Sequence, residues 1–186
     1  MAFKLITGID GLNRRLGRGV AWLVLAMVLV QFGVVVLRHV FSIGFVAMQE
    51  SVLYLHGTLF MLGAGYTLLN DGHVRVDVFY RDAKPRTKAI VDLAGALLFL
   101  LPVCVLIVWY SWDYVLGAWS VAEGSREGSG LPLTFLYKTV IWVFAASLGL
   151  QGCSMALKCW AFLSGAAPDY PVKAAIAQDL GRHGGV

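Results

Sequence analysis

Read for its apolar positions, the chain is four long hydrophobic runs joined by shorter polar stretches, covering about residues 20–37, 49–69, 89–110 and 135–157. Crossing a hydrocarbon core takes ~20 helical residues. A helix does so alone because it satisfies its own backbone N–H and C=O groups where there is no water. The pattern therefore predicts an all-α membrane protein with four transmembrane helices in one domain, residues 20–157. The second run is the least apolar, with His56, Thr58 and several glycines. That is the texture of a helix facing protein more than lipid.

The flanks follow other patterns. In residues 1–19, Leu5, Ile9, Leu12 and Leu16 recur on one helical face while Arg14, Arg15 and Arg18 fall mostly elsewhere. The spacing predicts an amphipathic helix lying in the plane of the interface. Residues 158–186 are expected to form a flexible tail, small and polar from Ser164 onward. The stretch after the second run, GHVRVDVFY, alternates Val74, Val76 and Val78 with His73, Arg75 and Asp77, which predicts a short extended segment with one apolar face.

Charge fixes a direction. Twelve basic residues lie before the first run, between the second and third, and after the fourth; only Arg38, Arg126 and Lys138 lie in the other two connections. The positive-inside rule then places both termini in the cytoplasm. Trp22, Tyr66 and Trp160 fall at the expected inner border, and Trp109, Tyr110, Trp112 and Tyr137 at the outer one. The first run is too long for a signal-peptide core, and Phe45-Val46-Ala47 lacks the small residue a cleavage site needs first, so an uncleaved anchor is expected.

Composition adds exclusions. Of 186 residues, 59% are apolar and 14% charged, too little charge to cover a soluble domain of this length. The net charge of +4 lies beside the apolar runs as a topology signal, which argues against nucleic acid as a partner. Cys104, Cys153 and Cys159 have no metal or redox spacing and read as structural thiols.

Two polar residues of the second run are candidates for chemistry. Glu50, at its outer mouth, reads as a solvated capping acid, a contact to another protein, or a coupling acid. His56 shares a face with Gln49, Leu53 and Phe60. A haem needs a second ligand at matched depth, and His39, His73 and His183 all lie elsewhere, so a helix–helix hydrogen bond is the expected role. Gly57, Gly63, Ala64 and Gly65 permit a close backbone approach, and Ser51 and Thr58 could bond across it. The connection AEGSREGSGLPLT has glycines but no strand or Lys to make a phosphate cradle, so it reads as a flexible link, or else a docking surface, with Pro132 opening the last helix. No catalytic set, metal cluster or cofactor site is expected, nor the pair of interrupted helices that marks a midplane transport site.

The order of these features resembles the small membrane subunit of TRAP transporters (tripartite ATP-independent periplasmic transporters). The matching residues are Arg38-His39 closing the first helix, an acid near the start of the second, Gly72–Val78, the turn Gly130-Leu131-Pro132, and Leu150-Gln151-Gly152. The family's acidic pair is Gln49-Glu50 here, with only the second acid kept. The resemblance implies a bacterial inner-membrane, non-catalytic subunit. Its partners would be a large elevator-type membrane subunit, a periplasmic substrate-binding protein and membrane lipid. The system would take up an organic acid or similar solute on an ion gradient, typically sodium. Candidate contact residues are Arg38, Gln49, Glu50, His56, Gly57, Thr58, Gly65, His73, Arg75, Asp77, Gly130, Leu131 and Pro132. Two rival readings are a four-helix b-type cytochrome using His56 and a small proton-coupled exporter using Glu50.

Overall fold

The computed structural model describes residues 2–73, 80 and 83–167. Helices make up the regular structure there: α1 (Ala2–Val40), α2 (Val46–Leu69), α3 (Pro85–Gly95), a π turn (Ala96–Leu100), α4 (Leu101–Ser120) and α5 (Thr134–Leu163). With α3, the π turn and α4 taken as one rod, four helices are long and apolar enough to cross a membrane. The all-α, four-span expectation holds. The extended segment expected at Val74, Val76 and Val78 lies outside the described residues. Of the tail expected over 158–186, residues 158–163 instead continue α5, and the part beyond residue 167 lies outside the described residues.

Three of the rods outrun their apolar cores. At 1.5 Å per residue the 39 residues of α1 reach about 58 Å, nearly twice a ~30 Å hydrocarbon core. The first nineteen residues therefore do not form a separate helix. They continue the first span without a break, because none of Gly8, Gly11 or Gly17 costs more than ~1 kcal/mol in a helix and one face is held by packing. The packed face is separate from the apolar stripe of Leu5 and Leu12, which stays open to lipid. Leu5 and Leu12 are exposed, while Ile6, Asn13, Gly17 and Val20 are buried.

The third rod carries a local defect with a readable cause. Pro102 has no N–H for the carbonyl four residues back, and its ring crowds that carbonyl. The ladder slips one residue: the Leu101 N–H bonds the Ala96 carbonyl, five residues earlier.

Packing is centred on α5. It touches α1, α2, α3, the π turn and α4, whereas neither α3 nor α4 touches α1 or α2. In its most apolar window 33% of α5 is buried, against 11% for each other span, so the assembly is open and hub-like. Small residues make the hub possible. Ala145, Ser147, Gly152, Ser154, Ala156 and Cys159 are all buried on α5, letting neighbouring backbones come close. Most large apolar side chains of α1 and α4 face outward, Phe32, Val105 and Trp109 among them.

Candidate functional site

Two polar clusters sit at opposite ends of the rods. At the end where α4 leads into α5, the chain leaves α4 through Ala122, which is forced to φ 46°, and folds back as a compact loop. Within it the Ser125 N–H donates to the Leu131 carbonyl (3.0 Å), the Gly130 N–H to Glu127 (2.9 Å) and the Phe135 N–H to Glu123 (3.1 Å). The Lys138 ammonium pairs with Glu123 at 2.5 Å and lies 3.9 Å over the Tyr114 ring.

Glu50 pins this loop. Its carboxylate accepts a hydrogen bond from the Ser125 hydroxyl and, at 2.6 Å, one from the Leu131 N–H. A Cβ on Gly130 would run into Ser125 and come within 2.6 Å of the carboxylate, so the position needs glycine. Glu50 and Gly130-Leu131, read from the sequence as separate marks, thus form one contact within the chain. The link read as flexible is a bonded loop. Pro132 follows it and lies under Gly124.

Just below, α2 meets α5 through aromatic groups. The Tyr54 and Tyr137 rings stack at 4.5 Å with 1° between planes, and the Tyr54 hydroxyl lies 2.9 Å from the Thr134 hydroxyl. Gly57 leaves the space that the Tyr137 hydroxyl fills.

At the other end, Asp10 of α1 accepts from the Ser154 hydroxyl at 2.7 Å and from the Gln151 amide at 3.1 Å, and pairs with Lys158 at 2.6 Å. Asn13 donates to the Gln151 side chain at 2.8 Å and, weakly, to the Ser147 carbonyl at 3.4 Å. Its Oδ1 is buried without a hydrogen-bond partner. That oxygen faces Gly65, where a Cβ would lie 2.5 Å away; a Cα–H···O contact is the weak interaction such an approach supports. Gly17 likewise makes room for the Tyr66 ring. The sequence reading missed this network. The signal was present as polar residues at helical spacing in apolar helices: Asp10, Asn13 and Gly17 on α1, and Gln151, Ser154 and Lys158 on α5.

Of the remaining candidates, several face out of the fold. Gln49, Leu53, His56 and Phe60 form an exposed stripe along α2, with Phe60 75% exposed. His56 has no hydrogen bond or ion pair among the described residues, so the helix–helix bond expected for it is not made within the chain. Thr58 is half-buried on the same helix, and Gly65 is buried. Arg38 is exposed at the end of α1 and His73 just past α2. Arg75 and Asp77 lie outside the described residues. The three cysteines are unbridged, and no group of three or more metal-binding side chains occurs among the described residues.

Four apolar rods built on one helix, with their polar groups largely spent on holding each other, define a multi-pass membrane protein with an outward-facing histidine in one span. A family model, the DctQ component of tripartite ATP-independent periplasmic transporters, matches residues 27–163. The chain belongs to this family: it is the small permease subunit of a TRAP transporter, an inner-membrane protein. Neither comparison with curated proteins nor comparison with solved structures gives a significant match.

Proposed function

We propose that this chain is a non-catalytic brace for the large elevator-type subunit of its transporter, docked through the exposed stripe of α2. The observation that carries the reading is His56. An ionisable or polar side chain inside a span is costly unless it finds a partner, and this one faces outward with no partner in its own chain. Gln49 above it and Leu53 and Phe60 on either side give a neighbouring helix both an apolar seat and polar anchors. An elevator needs one part to stay still while another slides, and a rigid flanking assembly broadens the static part against tilting.

Both termini are cytoplasmic in this reading, from the distribution of Lys and Arg. The Glu50-pinned loop then faces the periplasm, where the substrate-binding protein docks. Uptake is driven by an ion gradient, typically sodium, and the cargo is an organic acid or a similar solute; both come from the family resemblance. Glu50 serves here as a loop anchor, since its carboxylate already receives two donors.

The test is co-purification with the large subunit, alongside reconstituted uptake. Replacing His56 and Phe60 together by Ala should weaken the pairing and slow uptake, while replacing the equally exposed Phe99 and Leu98 on the far rod should not. A pairing that survives the first change and fails with the second would refute the assignment to α2.

A further inference from the structure

We propose that the groove between α4 and α5 is a binding site for a phospholipid with an ammonium headgroup, seated in the leaflet at the loop end. The groove has a volume of about 990 Å³, at the top of the ~300–1,000 Å³ range of small-molecule sites. Its floor is made of small side chains, Cys104, Ala145, Gly149 and Cys153, and apolar residues form its walls.

Three observations select the occupant. The first is depth. From Leu101 to Asp113 the groove follows twelve helical steps of 1.5 Å, about 18 Å, close to half of a ~30 Å hydrocarbon core. The second is closure. Leu100 seats on Gly152, where a Cβ would come within 2.6 Å of the Leu100 Cδ2, and cuts the groove off from a separate cavity of about 500 Å³ on the other side. A partner's transmembrane helix would need a seat through both leaflets. Lipid tails need one.

The third is the headgroup end. Asp113 lines the mouth and is exposed, with no hydrogen bond or ion pair among the described residues. It stands seven residues before the end of α4, about 10 Å below it, at the level where an unpaired carboxylate asks for a cation. Trp109, 76% exposed, and Trp112, 50% exposed, line the same mouth. Indole faces attract ammonium groups. A carboxylate with two indoles recognises the amine of a zwitterionic phospholipid and repels an anionic one.

The site is independent of the brace reading and is tested on this chain alone. The full chain in detergent is offered equal amounts of phosphatidylethanolamine and phosphatidylglycerol, and retained lipid is read by native mass spectrometry. Phosphatidylethanolamine should be retained about tenfold over phosphatidylglycerol, as expected for one ion pair plus cation–π contact. Asp113→Asn should cut the preference to the few-fold left by the indoles, Asp113→Glu should restore it, and Gly149→Leu should lower retention of both. Circular dichroism identifies any variant that has lost its helices. Equal retention by the native chain, or an unchanged preference in Asp113→Asn, would overturn the proposal. So would a photo-crosslinker at Val105, in the native membrane, that captures another protein rather than lipid.

Discussion

At the scale of single residues, the glycines separate contacts that matter from those that do not. Gly65 and Gly63 are two residues apart on the same helix. A Cβ at Gly65 meets the Asn13 amide at 2.5 Å and the Ser147 backbone at 3.2 Å, whereas nothing lies within 4 Å of one at Gly63. Gly65→Ala should therefore cost about 1–3 kcal/mol, since neither neighbour can move without breaking the polar network. Gly63→Ala should be neutral or slightly stabilising through helix propensity. Thermal unfolding in detergent, run on both, checks the contrast. Glu50 makes a second residue-scale case. Glu50→Gln keeps the shape but removes the charge that strengthens both of its hydrogen bonds. Hydrogen exchange at the Ser125–Leu131 amides should become several-fold faster, with the rest of the protein unchanged.

At the scale of elements, α1 and α5 are held by a partly buried ion pair inside a network, and such pairs respond asymmetrically to mutation. The Asp10 and Lys158 side chains are 17% and 19% exposed. Removing one charge strands the other, so Asp10→Asn or Lys158→Met alone should destabilise by roughly 2 kcal/mol, below the ~3–5 kcal/mol of fully buried pairs. The double replacement should cost less than the two singles combined, which a double-mutant cycle measures. The third rod offers another test. Pro102→Ala restores a donor to the ladder and should remove the π turn, drawing Leu100 off Gly152. A spin-label distance between α3 and α5 would report the change in register. Ala122, at φ 46° where α4 turns into the loop, is strained for a residue with a Cβ; Ala122→Gly should be tolerated or mildly stabilising.

At the scale of the whole molecule, an open assembly with one hub leaves most of its apolar surface for lipid and a partner. Soluble monomers rarely expose contiguous apolar patches beyond a few hundred Å², and here exposed large side chains run along α1 and α4. Four helices long enough to cross carry the expectation that both termini lie on one side of the membrane. If the Lys and Arg distribution sets that side as the cytoplasm, a cysteine at Glu127, on the pinned loop, should react with an impermeant thiol reagent added to spheroplasts. A cysteine at Lys4 should stay silent until the membrane is opened. The reverse labelling would invert the topology.

The four spans were legible in the sequence because lipid imposes one requirement on every residue of a crossing: apolar side chains over enough length to satisfy the backbone internally. The family marks were legible too, as short strings in order. Their partners were not. Glu50 meeting Leu131, Asp10 meeting Lys158 and Gly65 meeting Asn13 join residues 52 to 148 positions apart, and helical periodicity relates only neighbours three or four apart. Residues 1–19 show the same limit: the spacing marked the Leu5 and Leu12 stripe, but not the Ile6, Asn13, Gly17 and Val20 face that packs within the protein. In lipid, apolar side chains such as Leu5 and Leu12 are content outside, and the polar side chains must be tucked against a neighbour. Which face turns inward is decided by the helix that receives it, and that is settled only when the rods pack.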